Sequence, residues 1–105
     1  MSLDDLFIPA DPELMARERL KAKELKRTTW WKSQTGRGVC HYCGTRCHPS
    51  ELTMDHVVPV IRGGRSAKNN LVPACAACNR EKRHLSTTEW QSRLEEKRLA
   101  LVLKE

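Results

Sequence analysis

Two short cysteine pairs frame the part of the sequence that decides the fold: Cys40-His41-Tyr42-Cys43 and Cys75-Ala76-Ala77-Cys78. A Cys-x-x-Cys turn, or knuckle, directs two thiolates at one ion from a single tight bend, and two knuckles supply the four sulfur ligands of a tetrahedral zinc site. Four protein ligands leave no open coordination position. The sequence therefore predicts a structural zinc ion held by Cys40, Cys43, Cys75 and Cys78.

The fifth cysteine, Cys47, makes the total odd, and the chain starts with the acidic run Met1-Ser2-Leu3-Asp4-Asp5 rather than with a secretory signal. Both features disfavour a disulfide framework and favour a cytoplasmic protein. Buried or redox-active cysteines are the alternative to zinc. Cys47 is either a free thiol near the first knuckle or, with His41 and His48, an alternative zinc ligand. Structural zinc contributes about 10–16 kcal/mol in small peptides, so we expect folding to depend on the metal.

Further motifs follow in a fixed order: Asp55-His56-Val57-Val58-Pro59, Gly63-Gly64, Asn69-Asn70-Leu71, and Asn79 and Lys82 at the second knuckle. With the two knuckles, this order resembles the HNH endonuclease family in its four-cysteine, zinc-bearing form, over about residues 40–83. The resemblance implies an α+β fold with a small ββα-metal core stapled by a four-cysteine zinc site, flanked by N- and C-terminal helices. It also implies hydrolysis of DNA phosphodiester bonds that leaves 5′-phosphate and 3′-hydroxyl ends.

The resemblance implies a role for individual residues. Asp55 is the first ligand of a catalytic divalent cation, and His56 is the general base. Asn70 holds the catalytic loop and orients the base, with Asn69 as a competitor for that role. Asn79 stands where many members have His and is the second cation ligand through its side-chain oxygen, unless it only caps a helix. Oxygen ligands favour Mg²⁺ or Mn²⁺, although other divalent cations would fit.

The residue types are consistent with this chemistry, because a neutral imidazole accepts a proton from water near neutral pH. How Asp55 and His56 act on the same phosphate is implied by the resemblance alone. Adjacent side chains in a regular strand point to opposite faces, so Asp55 and His56 would diverge. His84 is either a further ligand or phosphate contact, or a surface residue.

Positive charge gives a second argument for nucleic acid. The 105 residues carry 19 Lys and Arg against 13 Asp and Glu, a net charge of +6. Basic side chains bind phosphates with little sequence preference, and nothing resembles a dedicated sequence reader, so a partner protein could supply the target. Six residues flank the proposed site as DNA contacts: Arg62, Arg65, Lys68, Arg80, Lys82 and Arg83.

Three segments are predicted. Residues 1–39 form a basic arm with a mostly solvated helix from the Asp11-Pro12 cap to about Arg27, followed by Trp30-Trp31, which either stacks on bases or packs on the zinc core. Residues 40–85 form the nuclease core. Residues 86–105 form a helix that a Ser86-Thr87-Thr88-Glu89 capping box opens. This helix should end near Lys104 and pack on the core, with Trp90, Leu94, Leu101 and Val102 near one face.

Two rival functions share most of these features. A non-catalytic zinc module that binds nucleic acid needs neither Asp55 nor His56, and an RNA-cutting relative would differ in substrate. Small free-standing proteins of this type resemble phage or mobile-element genes, and the biological role stays open.

Overall fold

The secondary structure is that of a small α+β protein. The computed structural model describes residues 7–103. Two strands, β1 (Thr53–His56) and β2 (Leu71–Ala74), pair antiparallel with Asp55 opposite Val72 and His56 opposite Leu71. The helices are α1 (Pro12–Leu25), α2 (Thr29–Gly36), α3 (Ala76–Lys82) and α4 (Thr87–Leu103). The order β1-β2-α3 is the expected ββα unit.

The first helix begins as predicted and ends slightly earlier. The Asp11 side chain accepts a hydrogen bond from the backbone N–H of Glu13 at 2.8 Å, which is a standard N-terminal cap. After Leu25 the chain turns, and the Thr28 hydroxyl caps α2 by accepting from the N–H of Trp31 at 3.3 Å. Helix α2 was not expected from the sequence. It buries Trp31, which agrees with packing rather than base stacking for that ring.

Most residues of helix α1 are exposed, as expected, but one face of the helix packs against the rest of the fold. Its inner face buries Ala22 and the carboxylate of Glu18. Just before the helix, the N–H of Ala10 donates to the carbonyl of Ile61 at 2.8 Å. The weak apolar pattern of α1 did not predict this contact, because the helix is held largely by polar interactions.

The core cluster consists of Cys40, Leu52, Ala74, Cys78 and Trp90. Helix α4 joins it through Trp90, whose ring meets the Tyr42 ring edge-on at 5.5 Å between centroids. The predicted capping box is present. The Ser86 N–H donates to Glu89 Oε1 at 2.9 Å, and the Glu89 N–H donates to Ser86 Oγ at 3.2 Å.

The far half of α4 differs from the prediction. Leu94 is partly buried against the core, but Leu101 and Val102 are 68% and 63% exposed. The prediction that these two residues pack on the core is wrong, because α4 extends beyond the small core. The predicted end at Lys104 lies outside the described residues. No helix within residues 7–103 has the length and apolar character needed to cross a membrane.

A tight loop follows β1 and shapes the site. The strand stops before Pro59, as expected of a residue without a backbone N–H. A Cβ on Gly64 would lie 1.7 Å from the carbonyl oxygen of Val58, so only glycine fits there. The Gly64 N–H also donates to the Pro59 carbonyl at 2.9 Å. This close approach brings residues 65 and 66 back beside the end of β1.

Candidate functional site

The four predicted zinc ligands form one cluster. The Sγ atoms of Cys40, Cys43, Cys75 and Cys78 all lie within 4.8 Å of one another, and those of Cys43 and Cys75 are 3.8 Å apart. A tetrahedral zinc ion with Zn–S bonds of about 2.3 Å places its sulfurs about 3.8 Å apart. The cluster therefore fits zinc. Cys47 lies outside it and bonds through Sγ to the Thr45 carbonyl at 3.5 Å.

Backbone hydrogen bonds shape the two knuckles. In the first, the N–H of Gly44, at a φ of 74°, donates to the carbonyl of Cys40 at 3.0 Å. In the second, Cys75 caps α3, and its sulfur accepts from the N–H of Cys78 at 3.4 Å. Burial raises the pKa of the Cys78 thiol. The charge of a bound cation is thus what would hold this sulfur as a thiolate at neutral pH.

Asp55, His56 and Asn79 of the predicted catalytic centre share a second location, whereas Asn70 is not among the residues that line it. A cavity of about 260 Å³ is lined by Asp55, His56, Asn79 and His84, together with basic side chains. Strand β1 supplies the first two, and α3 and the residues after it supply the others. The fold thus places residues that carry one carboxylate, one amide and two imidazoles on the wall of one cavity.

Asp55 is held by a buried polar network. Its Oδ2 accepts from the Tyr42 hydroxyl at 2.5 Å and lies 3.0 Å from the Lys82 ammonium, which also donates to the His56 carbonyl at 2.8 Å. Burial, with the bond to Asp55, raises the pKa of Tyr42 far above its usual value, so the phenol remains a donor. Within the described residues no donor reaches Oδ1 of Asp55, which leaves that oxygen for a cation.

Lys82 corrects one expectation. It was predicted as a phosphate contact, but it is only 1% exposed, and its ammonium is committed to Asp55 and to the backbone of β1. Sequence spacing placed it one turn from Asn79 without showing which face of α3 it occupies. It is an internal counter-charge, and the predicted DNA contact at this residue is wrong.

The amide of Asn79 has a defined orientation. The Thr53 hydroxyl donates its one proton to the carbonyl of Ala74 at 2.9 Å. Its oxygen can therefore only accept from Asn79, whose Nδ2 lies 2.8 Å away. This arrangement leaves Oδ1 of Asn79 as the group available to a ligand. With Asp55 Oδ1 it makes a pair of hard oxygen donors on one cavity, a set that fits Mg²⁺ or Mn²⁺.

His56 diverges from Asp55, as a regular strand requires. Its Nε2 lies 2.8 Å from Oγ of Ser66, and both His56 and Asp55 border the cavity. Burial lowers the pKa of His56 below 6.5, against the opposing effect of the Asp55 charge. The imidazole is therefore neutral at physiological pH and able to accept a proton.

Asn70 pins the loop that follows β1. Its Oδ1 accepts from the Val58 N–H at 2.9 Å, and its Nδ2 donates to the carbonyls of Val58 at 3.1 Å and Arg65 at 2.9 Å. Asn69 is exposed. Of the two roles that the resemblance implied, Asn70 has contacts suited to holding the loop, whereas the group that touches the imidazole is Ser66.

The remaining predicted DNA contacts lie outside the core. Arg65, Lys68, Arg80 and Arg83 are not buried. Arg62 is partly buried and donates through Nε to the carbonyl of His84 at 2.6 Å.

The backbone after α3 is strained. Arg83 has a φ of 46°, in the left-handed region that non-glycine residues rarely adopt. This turn directs Arg83 and His84 to the cavity wall.

Sequence reasoning missed four residues of the site: Tyr42, Ser66, Glu18 and Arg19. Tyr42 lies inside a knuckle, where only the cysteines stood out. Ser66 belongs to no motif. Glu18 bonds to Ser66 from 48 positions away, and Arg19 lines the cavity beside His56. No local pattern signals these long-range contacts.

Comparison with known families agrees with this geometry. Residues 40–85 match a family model described as HNH endonuclease. A search among curated proteins found none that matches the chain.

Proposed function

We propose that the protein is a metal-dependent endonuclease that hydrolyses DNA phosphodiester bonds, because residues 40–85 match the HNH endonuclease model and include four cysteines placed to hold a metal ion. Zinc on the four cysteines is its structural metal. A divalent cation, Mg²⁺ or Mn²⁺, is held by Asp55 and Asn79. His56 is the general base.

The observation that carries the proposal is the shared cavity of Asp55, His56 and Asn79. A zinc module that only binds nucleic acid requires no carboxylate and amide oxygens beside a neutral imidazole. Here the Tyr42 and Lys82 bonds hold Asp55 in place, and Thr53 turns the Asn79 oxygen outward. These supporting bonds are what a preorganised site needs.

The side chains divide the reaction between them. His56 accepts a proton from the attacking water, which makes the water a stronger nucleophile. A divalent cation bound at Asp55 and Asn79 would supply stabilisation for charge on the phosphate and on the departing 3′ oxygen. Asn70 keeps the loop after β1 closed, so that the base stays beside the cavity.

Basic side chains around the cavity would bind the DNA backbone. Arg19 and Arg83 line the cavity itself, so we assign them to phosphates nearest the scissile bond. Arg65, Lys68 and Arg80 extend this surface. Such contacts give affinity that falls with salt and carries little sequence information, consistent with a partner that selects the target.

A plasmid nicking assay tests the proposal. Zinc-loaded protein is incubated with supercoiled DNA in Mg²⁺ or Mn²⁺, alongside the His56→Ala variant and a His48→Ala control, whose exposed imidazole lies outside the cavity. We expect relaxed or linear product from wild type and His48→Ala, and none from His56→Ala or in EDTA. Plasmid bands that shift without being cut in every metal would indicate the binding module instead. A parallel digestion of RNA shows whether the protein cuts RNA instead of DNA.

A further inference from the structure

One serine joins the general base to the N-terminal helix. Ser66 Oγ lies 2.8 Å from Nε2 of His56. The same hydroxyl makes a short contact with the backbone carbonyl of Glu18 in α1. The Ser66 N–H also donates to Oε1 of Glu18 at 2.5 Å. Both Ser66 and Glu18 are buried, with 8% and 4% of their surface exposed.

The direction of these bonds follows from the count of protons. A serine hydroxyl has one proton to donate, and the Glu18 carbonyl can only accept. If the hydroxyl donated to His56 instead, two oxygen lone pairs would face each other at hydrogen-bond distance. The proton is therefore on the Glu18 side, and Ser66 Oγ accepts from His56. Nε2 must carry the ring proton, which leaves Nδ1 with the lone pair that takes a proton from water.

We propose that Ser66, fixed by Glu18 of α1, is the positioning residue that sets the tautomer and ring orientation of His56. This inference rests on the proposed role of His56 as the base. It extends the active site beyond residues 40–85, because α1 lies outside the segment that matches the family model.

The charge of Glu18 also links α1 to the loop that contains Ser66. Its Oε2 lies 3.2 Å from the Lys21 ammonium and 3.9 Å from the Arg65 guanidinium. Lys21 belongs to α1 and Arg65 to the loop beside Ser66, so the carboxylate links the helix to that loop. The hydroxyl, however, bonds to the Glu18 backbone. A Glu18→Gln variant, which keeps a side-chain oxygen as acceptor, should retain the positioning, whereas Glu18→Ala should loosen the loop.

Nuclear magnetic resonance of the His56 ring nitrogens detects the hydrogen bond to Ser66 whether or not the protein cuts DNA. In the full-length zinc-loaded protein at pH 7.5, we expect a protonated Nε2 whose proton is seen directly because it exchanges slowly with water. Ser66→Ala should lose that proton signal. Ser66→Thr, which keeps a hydroxyl, should restore it. Zinc content and far-ultraviolet circular dichroism of each variant show that the fold is retained.

Single-turnover nicking supplies the second readout. Loss of one hydrogen bond, worth about 0.5–1.5 kcal/mol, predicts a rate for Ser66→Ala about 2- to 12-fold lower, with DNA affinity unchanged. Ser33→Ala changes an exposed serine in α2 and should nick like wild type, so it serves as the control.

The ring spectra and the nicking rates distinguish failure of the proposed function from failure of the positioning role of Ser66. A wild type that cuts no DNA in any metal contradicts the proposed function, yet the ring spectra still decide the hydrogen bond. A ring proton on Nδ1 in wild type, or spectra and nicking that Ser66→Ala leaves unchanged, would overturn the positioning role of Ser66.

Discussion

Removal of the Lys82 ammonium should destabilise the protein far more than removal of a surface lysine. Lys82→Met keeps most of the side-chain volume but deletes the charge 3.0 Å from Asp55 and the hydrogen bond to the His56 carbonyl. Asp55, only 7% exposed, is then left with Tyr42 as its remaining donor. Breaking one side of a buried ion pair costs about 3–5 kcal/mol.

The chain offers a matched control. The ammonium of Lys97 lies 2.5 Å from the carboxylate of Glu81, but these side chains are 44% and 38% exposed. Exposed pairs contribute about 0–1 kcal/mol, so Lys97→Met should change stability little despite its shorter contact. Exposure, not distance, separates the two lysines.

Urea unfolding of the zinc-saturated proteins, followed by far-ultraviolet circular dichroism, measures both free energies of unfolding. A double variant, Asp55→Asn with Lys82→Met, removes the unpaired charge and should recover part of the loss. The reasoning is refuted if Lys82→Met unfolds within about 1 kcal/mol of Lys97→Met, or if the double variant is less stable than Lys82→Met.

Three further predictions follow from the site. A strong chelator or Cys78→Ser should unfold the protein, because the cluster is part of the core; unchanged circular dichroism after zinc removal would contradict this. Since burial lowers the pKa of His56 from its usual value of 6.5, the nicking rate should fall with decreasing pH as the imidazole becomes protonated, with a midpoint below 6.5; a midpoint above 6.5 would be inconsistent with His56 as the base. Arg19→Ala should weaken DNA binding and reduce its salt dependence by about one phosphate contact, whereas Arg17→Ala, which changes an exposed residue elsewhere on α1, should do so less; equal effects would remove Arg19 from the site.

Local sequence predicted the parts of the molecule that depend on residues close together in the chain. The knuckles, the Asp11 cap and the Ser86–Glu89 capping box each involve side chains within a few positions, and the structure contains all of them. The order of short motifs also predicted the match of residues 40–85 to the HNH endonuclease model and the ββα unit. Helix α2 was missed because its eight residues, Thr29–Gly36, carry no strong periodic pattern.

Only the tertiary structure decides which charged side chains are buried and which are exposed. Lys82 has the sequence context of a DNA contact, yet α3 packs that face against β1 and buries it beside Asp55. Glu18 lies in a basic, polar helix, yet it reaches Ser66 and through it His56. The sequence by itself predicted the four clustered cysteines and the candidate base, from the spacing and order of short motifs. It did not predict the partners that hold the His56 ring, because those contacts form only when distant segments pack together.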